Sequence, residues 1–556
     1  MMTRRDLFCA AATAPFYAAA SGPPRNRMRS LEDVPGAVED IWRIPGRFTK
    51  NPDIIQFPSG RMMLVFCDDD AHWSQEISRI TTLESADGGQ IWGNPRVIAE
   101  TDRRKGAERW ITPRISLLRD GRVMVICDHD DYAHVHEDQP SGIWLWESKD
   151  EGCTWSAPRL TGIPGIEPDR IVELADGTLL IAAHMTFAAT RKVGMFLMRS
   201  TDGGATWKDR IVIASDRVHQ HCEGAMVVLR DGELACIMRE NNHAGYPSYV
   251  SFSRDHGRHW SRIEPLPFAG DRAYARQLPD GRVLVTYRNV AGNRGTHAWL
   301  GRLERECEYR ISGTHYGDRV LLAAEALETA GEQGAVTRYL MMPPESFWSD
   351  VLFECTVHVQ GSPGEAVGTV EIGRLGVRLD FSSDELWLHR GAIDYTANPT
   401  DRRARVDLTK PRAIRLAVTR GRLEVAIDQR PVIHWVVMAE APLRETGFGR
   451  LADHSGSVFW RRARYEVRNE TEPPFSWQWD AASGRLPDQY QMDRILVVRA
   501  NPPRNPDYPP DNGYSSWLAM PDGGIYMVDY TNRGDPKPTS HLYRARFSTR
   551  DFGGEA

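Results

Sequence analysis

A short box of the form S-x-D-x-G-x-x-W recurs four times in this chain and constrains its fold more than any other feature. The four copies are residues 85–92, 148–155, 200–207 and 253–260. Their aspartates stand 63, 52 and 53 residues apart, which is too regular a spacing for chance. The box predicts a tight turn in which Asp accepts hydrogen bonds from backbone amides, Gly takes a positive φ and Trp fills the space beneath.

A second signal is a turn between two apolar, β-rich runs, and it occurs six times. Runs such as 61–66 and 282–287 have the composition of strands, so each turn predicts a β-hairpin. The turns are Ser59-Gly60, Asp120-Gly121, Asp176-Gly177, Asp231-Gly232, Asp280-Gly281 and Asp522-Gly523. The first five lie 49 to 61 residues apart, which is long enough for four short strands each. We therefore expect an all-β chain with a six-bladed β-propeller.

The interval from Asp280 to Asp522 is 242 residues, and it exceeds one blade by roughly 190 residues. Alternating apolar runs at 351–359, 376–381 and 413–418 predict the strands of a two-sheet sandwich. We therefore expect a β-sandwich domain of concanavalin or laminin-G type inserted between blades five and six. The expected boundaries are 37–312 for blades one to five, 313–470 for the sandwich and 471–550 for blade six.

The first 20 residues differ in composition from the rest of the chain. Arg4-Arg5 precedes a short alanine-rich apolar run, and Ala18-Ala19-Ala20 forms an A-x-A cleavage site. These features predict an export signal at 1–20, and Leu7-Phe8 after the arginine pair resembles a twin-arginine signal. We expect an exported protein, periplasmic or extracellular, with a bacterial-type signal.

Composition excludes several classes of function. No stretch approaches the roughly 20 apolar residues of a membrane span, and the net charge of −6 lacks the basic footprint of a nucleic-acid-binding protein. The seven cysteines beyond the signal show no C-x-x-C spacing that would indicate zinc or redox chemistry. We expect no membrane span, no nucleic-acid partner and no cofactor. The sequence leaves a structural calcium ion in the sandwich or a propeller loop open.

Strand geometry predicts where a site lies. Each innermost strand leads into a hairpin and the next strand returns, so residues eight or nine before a turn share a face with residues seven to nine after it. The positions before the turns are Lys50, Thr112, Glu167, Glu223, Arg272 and Tyr514, and those after them are Asp68, Asp128, His184, Arg239, Arg288 and Asp529. None of the twelve is aliphatic, which indicates a polar site at the mouth of the channel. The Asp boxes join outer strands on the opposite face, so we interpret them as structural.

The boxes and this polar set resemble the sialidase (neuraminidase) superfamily over both propeller segments, about 350 residues. Segment 221–229 is similar to the family's blade-four setting of a Glu, Arg239 matches a family arginine, and segment 513–518 looks like the family's Tyr-Ser segment. The resemblance implies a retaining hydrolase in which Tyr514 is the nucleophile. Because an unperturbed phenol has a pKa near 10, Glu223 would serve as its base. Arginines would bind a substrate carboxylate with their planar forks.

Two departures from the family pattern lie in the first blade. Lys50-Asn51-Pro52 stands where family members begin with Arg-Ile-Pro, and lysine keeps the charge but loses the bidentate fork. The loop before Ser85 has no aspartate at the position of the family's acid/base residue. The nearby carboxylates are Asp68, Asp69, Asp70 and Glu76, of which we favour Asp70.

The other substrate-binding candidates come from the ring of polar positions. The third family arginine maps to Arg288 by strand geometry or to Arg294 by spacing, and both alternatives stay open. The remaining candidates are Lys50, Asp68, Glu167, Arg239 and Arg272.

Three functions compete. The first is an exo-acting glycosidase of sialidase type, which removes sialic acid or another acidic sugar from a glycan or glycoconjugate. The second is a polysaccharide lyase, which abstracts a proton with a His or Tyr; His129 and His184 sit at strand ends. The third is a non-catalytic carbohydrate-binding propeller. The distance from the Tyr514 hydroxyl to the Glu223 carboxylate discriminates between them, since hydrogen-bonding reach is expected of a catalytic pair.

Overall fold

The computed structural model describes residues 28–129, 136–137, 142–242, 247–290, 294–303, 311–316, 319–341, 349–390, 402–436, 446–451, 454–468, 474–502 and 508–553. The predicted export signal lies outside these ranges. Within them the chain is built almost wholly of strands, with a single α-helix, α1 (Gln489–Arg494), so the expectation of an all-β chain is confirmed. Nowhere in these ranges is there a helix with the length and apolar character that a membrane crossing requires.

Four antiparallel sheets of four strands follow one another in the first half of the chain. Sheet 1 contains β2 (Phe48–Gln56), β3 (Met62–Asp69), β4 (Ile77–Ser85) and β5 (Gly93–Asp102). Sheet 2 contains β6 (Trp110–Leu117), β7 (Val123–His129), β8 (Ile143–Ser148) and β9 (Arg159–Leu160). Sheet 3 contains β10 (Val172–Glu173), β11 (Leu179–Phe187), β12 (Lys192–Ser200) and β13 (Lys208–Ala214). Sheet 4 contains β14 (His221–Val228), β15 (Leu234–Glu240), β16 (Tyr249–Ser253) and β17 (Glu264–Pro265).

Two further four-stranded sheets are assembled from distant parts of the chain. Sheet 5 contains β18 (Gly270–Gln277), β19 (Val283–Asn289), β20 (Gly295–Gly301) and β36 (Ile495–Ala500). Sheet 6 contains β37 (Asn512–Ala519), β38 (Ile525–Thr531), β39 (His541–Phe547) and β1 (Val38–Trp42).

Sheets 5 and 6 correct the expected boundaries. Strand β1, expected in blade one, pairs with β39 and ties the start of the chain to its end. Strand β36, expected in blade six, pairs with β20, so the long insertion interrupts sheet 5 instead of following it. Without β36 the outer edge of β20 would expose unpaired backbone groups. The sequence did not reveal these pairings because outer strands carry no turn signal of their own.

The six hairpins and four boxes occupy the predicted places. Each hairpin turn joins the first two strands of a sheet, and its glycine has a φ between 76° and 89°. Each Asp box joins the third and fourth strands of sheets 1 to 4. In the first box Asp87 accepts hydrogen bonds from the amides of Gln90 and Ile91 at 2.9 and 3.0 Å. The aspartate side chain of the box therefore fixes the backbone turn that joins the two outer strands.

Gly89 shows why the first box requires glycine. A Cβ at this position would lie 2.4 Å from the ring of Tyr526 in sheet 6. The Tyr526 hydroxyl donates to the Gly89 carbonyl at 2.7 Å and accepts from Trp92 Nε1 at 2.9 Å. This box therefore joins sheet 1 to sheet 6 as well as closing its own turn.

Six apolar clusters join the six sheets into a closed ring. Each cluster is shared by two consecutive sheets, and the last is shared by sheets 6 and 1. Strands such as β3 are buried along their whole length, which explains why their sequences are continuous apolar runs rather than alternating ones. The hydrophobic free energy of this ring therefore lies between sheets, and no sheet completes a core alone.

The insertion folds as two larger sheets around one hydrophobic core. The seven-stranded sheet has the order β21 (Ile311–Tyr316), β24 (Val336–Met341), β33 (Thr446–Arg450), β26 (Gly368–Ile372), β27 (Val377–Phe381), β28 (Glu385–Arg390) and β29 (Arg402–Arg405). The other sheet has the order β22 (Arg319–Leu322), β23 (Leu327–Gly331), β34 (Gly456–Arg468), β25 (Asp350–Gln360), β30 (Arg412–Thr419), β31 (Arg422–Ile427) and β32 (Arg430–Val436), with β35 (Phe475–Asp480) also paired to β34. Alternating burial along β25 places every second side chain in the core, as its sequence predicts.

Candidate active site

One backbone irregularity recurs in every sheet of the ring. A non-glycine residue with a φ between 42° and 61° stands eight or nine residues before each hairpin turn. In five sheets the pairing register shifts at this point, which is the mark of a β-bulge. A positive φ costs about 1–3 kcal/mol for such residues and is concentrated at functional sites. The six residues are Asn51, Thr112, Glu167, Glu223, Arg272 and Tyr514.

The bulges of sheets 4 and 6 bring Tyr514 and Glu223 into direct contact. The Tyr514 hydroxyl donates to Glu223 Oε1 at 2.6 Å, and both side chains are buried. Arg239 Nη1 donates to the same oxygen at 2.6 Å, and the backbone amide of Arg272 donates to Oε2 at 2.9 Å. Arg239 also forms an ion pair with Asp271 at 2.8 Å. The carboxylate is thus fixed at both oxygens while one of them faces the phenol.

Two further arginines lie against the Tyr514 ring. The guanidinium carbons of Arg288 and Arg272 lie 5.2 and 5.7 Å from its centroid. Arg272 is almost fully buried and donates to the carbonyls of Glu167 and Pro168 at 3.0 and 2.6 Å. These contacts hold its guanidinium beside the phenol, where positive charge stabilises a developing phenolate.

Arg288, rather than Arg294, is the arginine that the fold brings to Tyr514. Arg288 donates to Asp511 at 3.1 Å and to the Tyr530 hydroxyl at 2.8 Å, and Tyr530 donates to Asp511 at 2.6 Å. Arg294 is exposed at the start of β20, and its carbonyl accepts from Asn501 at 2.9 Å. The sequence left Arg288 and Arg294 open as alternatives. Arg288, the one that strand geometry favoured, is the arginine that contacts the Tyr514 ring.

The electrostatics of the pair follow from burial and charge. Burial alone would raise the pKa of Glu223, but the Arg239 charge and the Tyr514 hydrogen bond outweigh it and lower that pKa to about 2. Burial, followed by the negative charges of Glu167 and Glu223, raises the pKa of Tyr514 well above its ordinary value. Burial and the charges of Glu223 and Asp128 likewise raise the pKa of Glu167. The resting cluster therefore pairs an ionised Glu223 with a neutral phenol, and the same surroundings favour the neutral form of Glu167.

Comparisons with known proteins show which part of the chain has relatives. Residues 131–296, which include sheets 3 and 4 and parts of sheets 2 and 5, match the family described as "BNR repeat-like domain". A sialidase of Micromonospora viridifaciens is 28% identical over 220 residues, covering 34% of this chain and 34% of that protein. A sialidase of Paraclostridium sordellii is 23% identical over 239 residues, covering 35% of this chain and 56% of that protein. Over about a third of its length, the chain is therefore similar to sialidases of the Asp-box superfamily.

The sequence matches cover only part of this chain and part of each relative. The match spans about a third of the Micromonospora protein and about half of the Paraclostridium protein. Among solved structures, a Trypanosoma rangeli sialidase is 12% identical, with 85% of this chain and 99% of that chain covered and a TM-score of 0.38. A score this low does not decide the fold, which the strand pairings define.

Lys50 lies directly before the bulge residue of sheet 1. The left-handed bulge residue of sheet 1 is Asn51, which lies eight residues before Ser59, as Tyr514 lies eight before Asp522. Lys50 is buried, with Nζ 3.0 Å from Asp69 and a hydrogen bond to the His72 carbonyl. The prediction that Lys50 binds substrate stays a prediction, and in this structure its ammonium group is paired inside sheet 1.

The two predicted aspartates of sheet 1 also have partners within their own region. Asp68 accepts from Arg47 Nε at 2.6 Å. Asp70 accepts from the Ser74 hydroxyl at 2.6 Å and from the amides of Gln75 and Glu76 at 3.0 Å. Although burial opposes it, these hydrogen bonds lower the pKa of Asp70, which disfavours a role as proton donor.

Sequence reasoning missed two carboxylates, Asp271 and Asp511. Asp271 holds Arg239, and Asp511 holds Arg288 and also lies 2.5 Å from His72 Nδ1. Asp271 directly precedes the bulge residue Arg272, so the position before each bulge was the available signal. Asp511 follows the proline-rich link and carries no pattern of its own.

Proposed function

We propose that this protein is an exo-acting, retaining glycoside hydrolase of sialidase type that removes a terminal sialic acid or a related acidic sugar from a glycan. The observation that carries the proposal is the 2.6 Å hydrogen bond from the Tyr514 hydroxyl to Glu223. A carbohydrate-binding protein needs no buried carboxylate beside a phenol, and keeping one desolvated is costly. The sialidase relatives support hydrolysis of glycosides as the class of reaction.

Tyr514 attacks the anomeric carbon as nucleophile. As the bond from the phenol oxygen forms, the bond to the leaving oxygen breaks, and the phenol proton passes to Glu223. Because the pKa of Tyr514 is raised and that of Glu223 lowered, this transfer accompanies bond formation rather than preceding it. Water then attacks the tyrosyl glycoside and gives a proton to the residue that protonated the leaving oxygen, while the phenolate leaves and regains its own proton from Glu223, so the configuration is retained.

The leaving oxygen requires a proton donor. Asp70 is the residue the sequence favours, yet its carboxylate is held as an anion by its own loop. Glu167 is the carboxyl group of this cluster whose pKa is raised, by burial and by the charges of Glu223 and Asp128, which favours its protonated form. The two assignments are separated below by substitution.

The substrate is an acidic sugar because guanidinium groups surround the phenol. Arg239, Arg272 and Arg288 approach Tyr514 or its base from sheets 4 and 5. A neutral phenol beside them tolerates a substrate carboxylate that a carboxylate nucleophile would repel. Lys50 stands where family members carry an arginine and is paired with Asp69, which favours a sugar whose acidic group makes fewer ionic contacts than sialic acid.

We further propose that the six sheets are the blades of a β-propeller and that the two larger sheets form an inserted sandwich. The closed ring of six inter-sheet clusters and the separate core of the insertion support this architecture. The predicted signal at 1–20 supports export, and fractionation of the expressing cell tests it.

Release of 4-methylumbelliferone from a panel of α-glycosides, the sialoside included, tests the function. Wild type is compared with Tyr514→Phe and with Tyr287→Phe, which removes a buried hydroxyl that has no hydrogen-bond partner among the described residues. We expect release that Tyr514→Phe abolishes and Tyr287→Phe retains. Equal release by Tyr514→Phe, or none by wild type across acidic sugars, contradicts the proposal. Unsaturated products instead of free sugar would establish a lyase.

A further inference from the structure

A cluster of two histidines and one aspartate lies just before the strand that carries Glu223. Asp216, His219 and His221 follow the spacing D-x-x-H-x-H. His219 Nδ1 lies 2.9 Å and His221 Nε2 lies 3.3 Å from the same oxygen, Asp216 Oδ2. The three candidate ligand atoms all lie within 4.8 Å of one another. The chemistry proposed for Tyr514 uses none of them.

The donor set has the geometry of a metal site. Zinc binds imidazole nitrogen and carboxylate oxygen at about 2.0–2.2 Å, which puts neighbouring ligand atoms about 3.0–3.5 Å apart at octahedral to tetrahedral angles. The two nitrogen–oxygen distances fall in or next to this range without any movement of the chain. Two imidazoles and one carboxylate suit a first-row divalent cation better than calcium, which takes oxygen ligands.

The surroundings fix the three side chains in place. Asp216 Oδ1 accepts from the amides of Val218 and His219 at 2.7 Å, which leaves Oδ2 turned toward the two rings. The Tyr249 hydroxyl lies 3.4 Å from His219 Nε2, the contact through which the second ring nitrogen of a metal ligand is usually oriented. Both imidazoles are fully buried, and within the part of the chain that the structure describes His221 Nδ1 has no hydrogen-bond partner.

One side of the cluster is open to solvent. The side chain of Asp216 is 32% exposed, whereas both histidine side chains are at 0%. An ion can therefore enter along the carboxylate, and water can complete its coordination. We propose that Asp216, His219 and His221 bind a divalent transition-metal ion of the zinc class, which ties the loop before β14 to the strand bearing Glu223.

Metal content of the full chain, purified without a polyhistidine tag, tests the proposal. The protein is stripped with a chelator, dialysed against zinc chloride and then against metal-free buffer, and analysed by mass spectrometry of the metal. We expect about one zinc ion per chain for wild type, and a loss of at least tenfold in His219→Ala and His221→Ala. We also expect a melting temperature that rises with zinc concentration in wild type alone.

His259→Ala is the matched control. His259 Nδ1 lies 2.5 Å from Asp255, but this pair is exposed and is part of no group of three possible metal ligands among the residues that the structure describes. The control keeps the zinc ion if the buried cluster binds it. Asp216→Asn keeps the side-chain volume and serves as the variant to use if a histidine variant does not fold.

Cobalt substitution gives a readout independent of activity. Cobalt bound through two imidazoles and a carboxylate produces visible d–d absorption, which we expect in wild type and His259→Ala and not in Asp216→Asn. Absence of zinc and of cobalt absorption in wild type overturns the proposal and leaves a hydrogen-bonded cluster. Equal metal content in His219→Ala, His221→Ala and wild type overturns it as well. Neither result bears on hydrolysis, which Tyr514→Phe tests separately.

Discussion

Charged side chains pair differently on two sides of the ring, at the strand ends that carry the candidate site residues. On the side of sheets 4 to 6, charged groups meet across sheets: Glu223 and Tyr514 are 291 residues apart and share a hydrogen bond. On the side of sheet 1, charges pair with neighbours: Lys50 with Asp69, and Asp68 with Arg47. Pairs within one sheet satisfy each other and stabilise it, whereas groups contributed by several sheets line the space between them. We therefore expect substitutions on the side of sheets 4 to 6 to lower catalytic activity and substitutions on the side of sheet 1 to lower stability.

The largest expected effect comes from the side of sheets 4 to 6. Glu223→Gln removes the base for Tyr514, and we expect kcat/KM to fall by about 10²–10⁴-fold while the chain stays folded. Steady-state hydrolysis of the best aryl glycoside measures it. Because the two residues act as a unit, Glu223→Gln combined with Tyr514→Phe should lose little more than the worse single variant. Multiplicative losses would show that the two residues work independently.

The matching change on the sheet 1 side should affect stability instead. Lys50→Met leaves the buried Asp69 without its partner, and we expect the free energy of unfolding to fall by about 3–5 kcal/mol. Urea denaturation followed by tryptophan fluorescence measures it. Adding Asp69→Asn should recover much of the loss, since it removes the unpaired charge. A folded Lys50→Met protein with unchanged stability and lost activity would return Lys50 to the substrate site.

Arg239→Lys sharpens the comparison at constant charge. Lysine cannot reproduce the planar fork that contacts both Glu223 and Asp271, so we expect kcat/KM to fall by about 10–100-fold. The same assay measures it. Arg47→Lys, at the sheet 1 ion pair with Asp68, is the control and should change kcat/KM by less than about threefold. Equal losses in the two variants would mean that both sides contact the sugar.

The smallest effect distinguishes the two candidate proton donors. Asp70→Asn replaces the oxygen that accepts from the Gln75 amide with a donor, and we expect a loss of about 1 kcal/mol of stability with kcat almost unchanged on an activated aryl glycoside. Glu167→Gln keeps a hydrogen-bond donor but cannot release a proton. We expect it to lower kcat more on a natural glycan, whose leaving group needs protonation, than on the aryl glycoside. The reverse pattern, with Asp70→Asn selectively impaired on the glycan, would assign the donor to Asp70.

Much of the fold could be predicted from local sequence. The box around Asp87 and the Asp522-Gly523 turn are decided by a few adjacent residues, because the hydrogen bonds and positive φ of a turn are local. Outer strands such as Ile495–Ala500 are different. Their pairing depends on which sheet edge is left open after the long insertion folds, and no local pattern records that.

The candidate site divides in the same way. The sequence by itself determined that Glu223, Arg239 and Tyr514 stand at the ends of strands on one face, because strand period and turn spacing fix which residues share a face. Only the tertiary structure decided that Asn51 rather than Lys50 is the bulge residue, that Arg288 rather than Arg294 faces Tyr514, and which carboxylates hold the arginines. A bulge shifts a side chain by one residue, and ion pairs form between residues hundreds of positions apart. Both depend on how closed sheets pack together, which spacing along the chain does not encode.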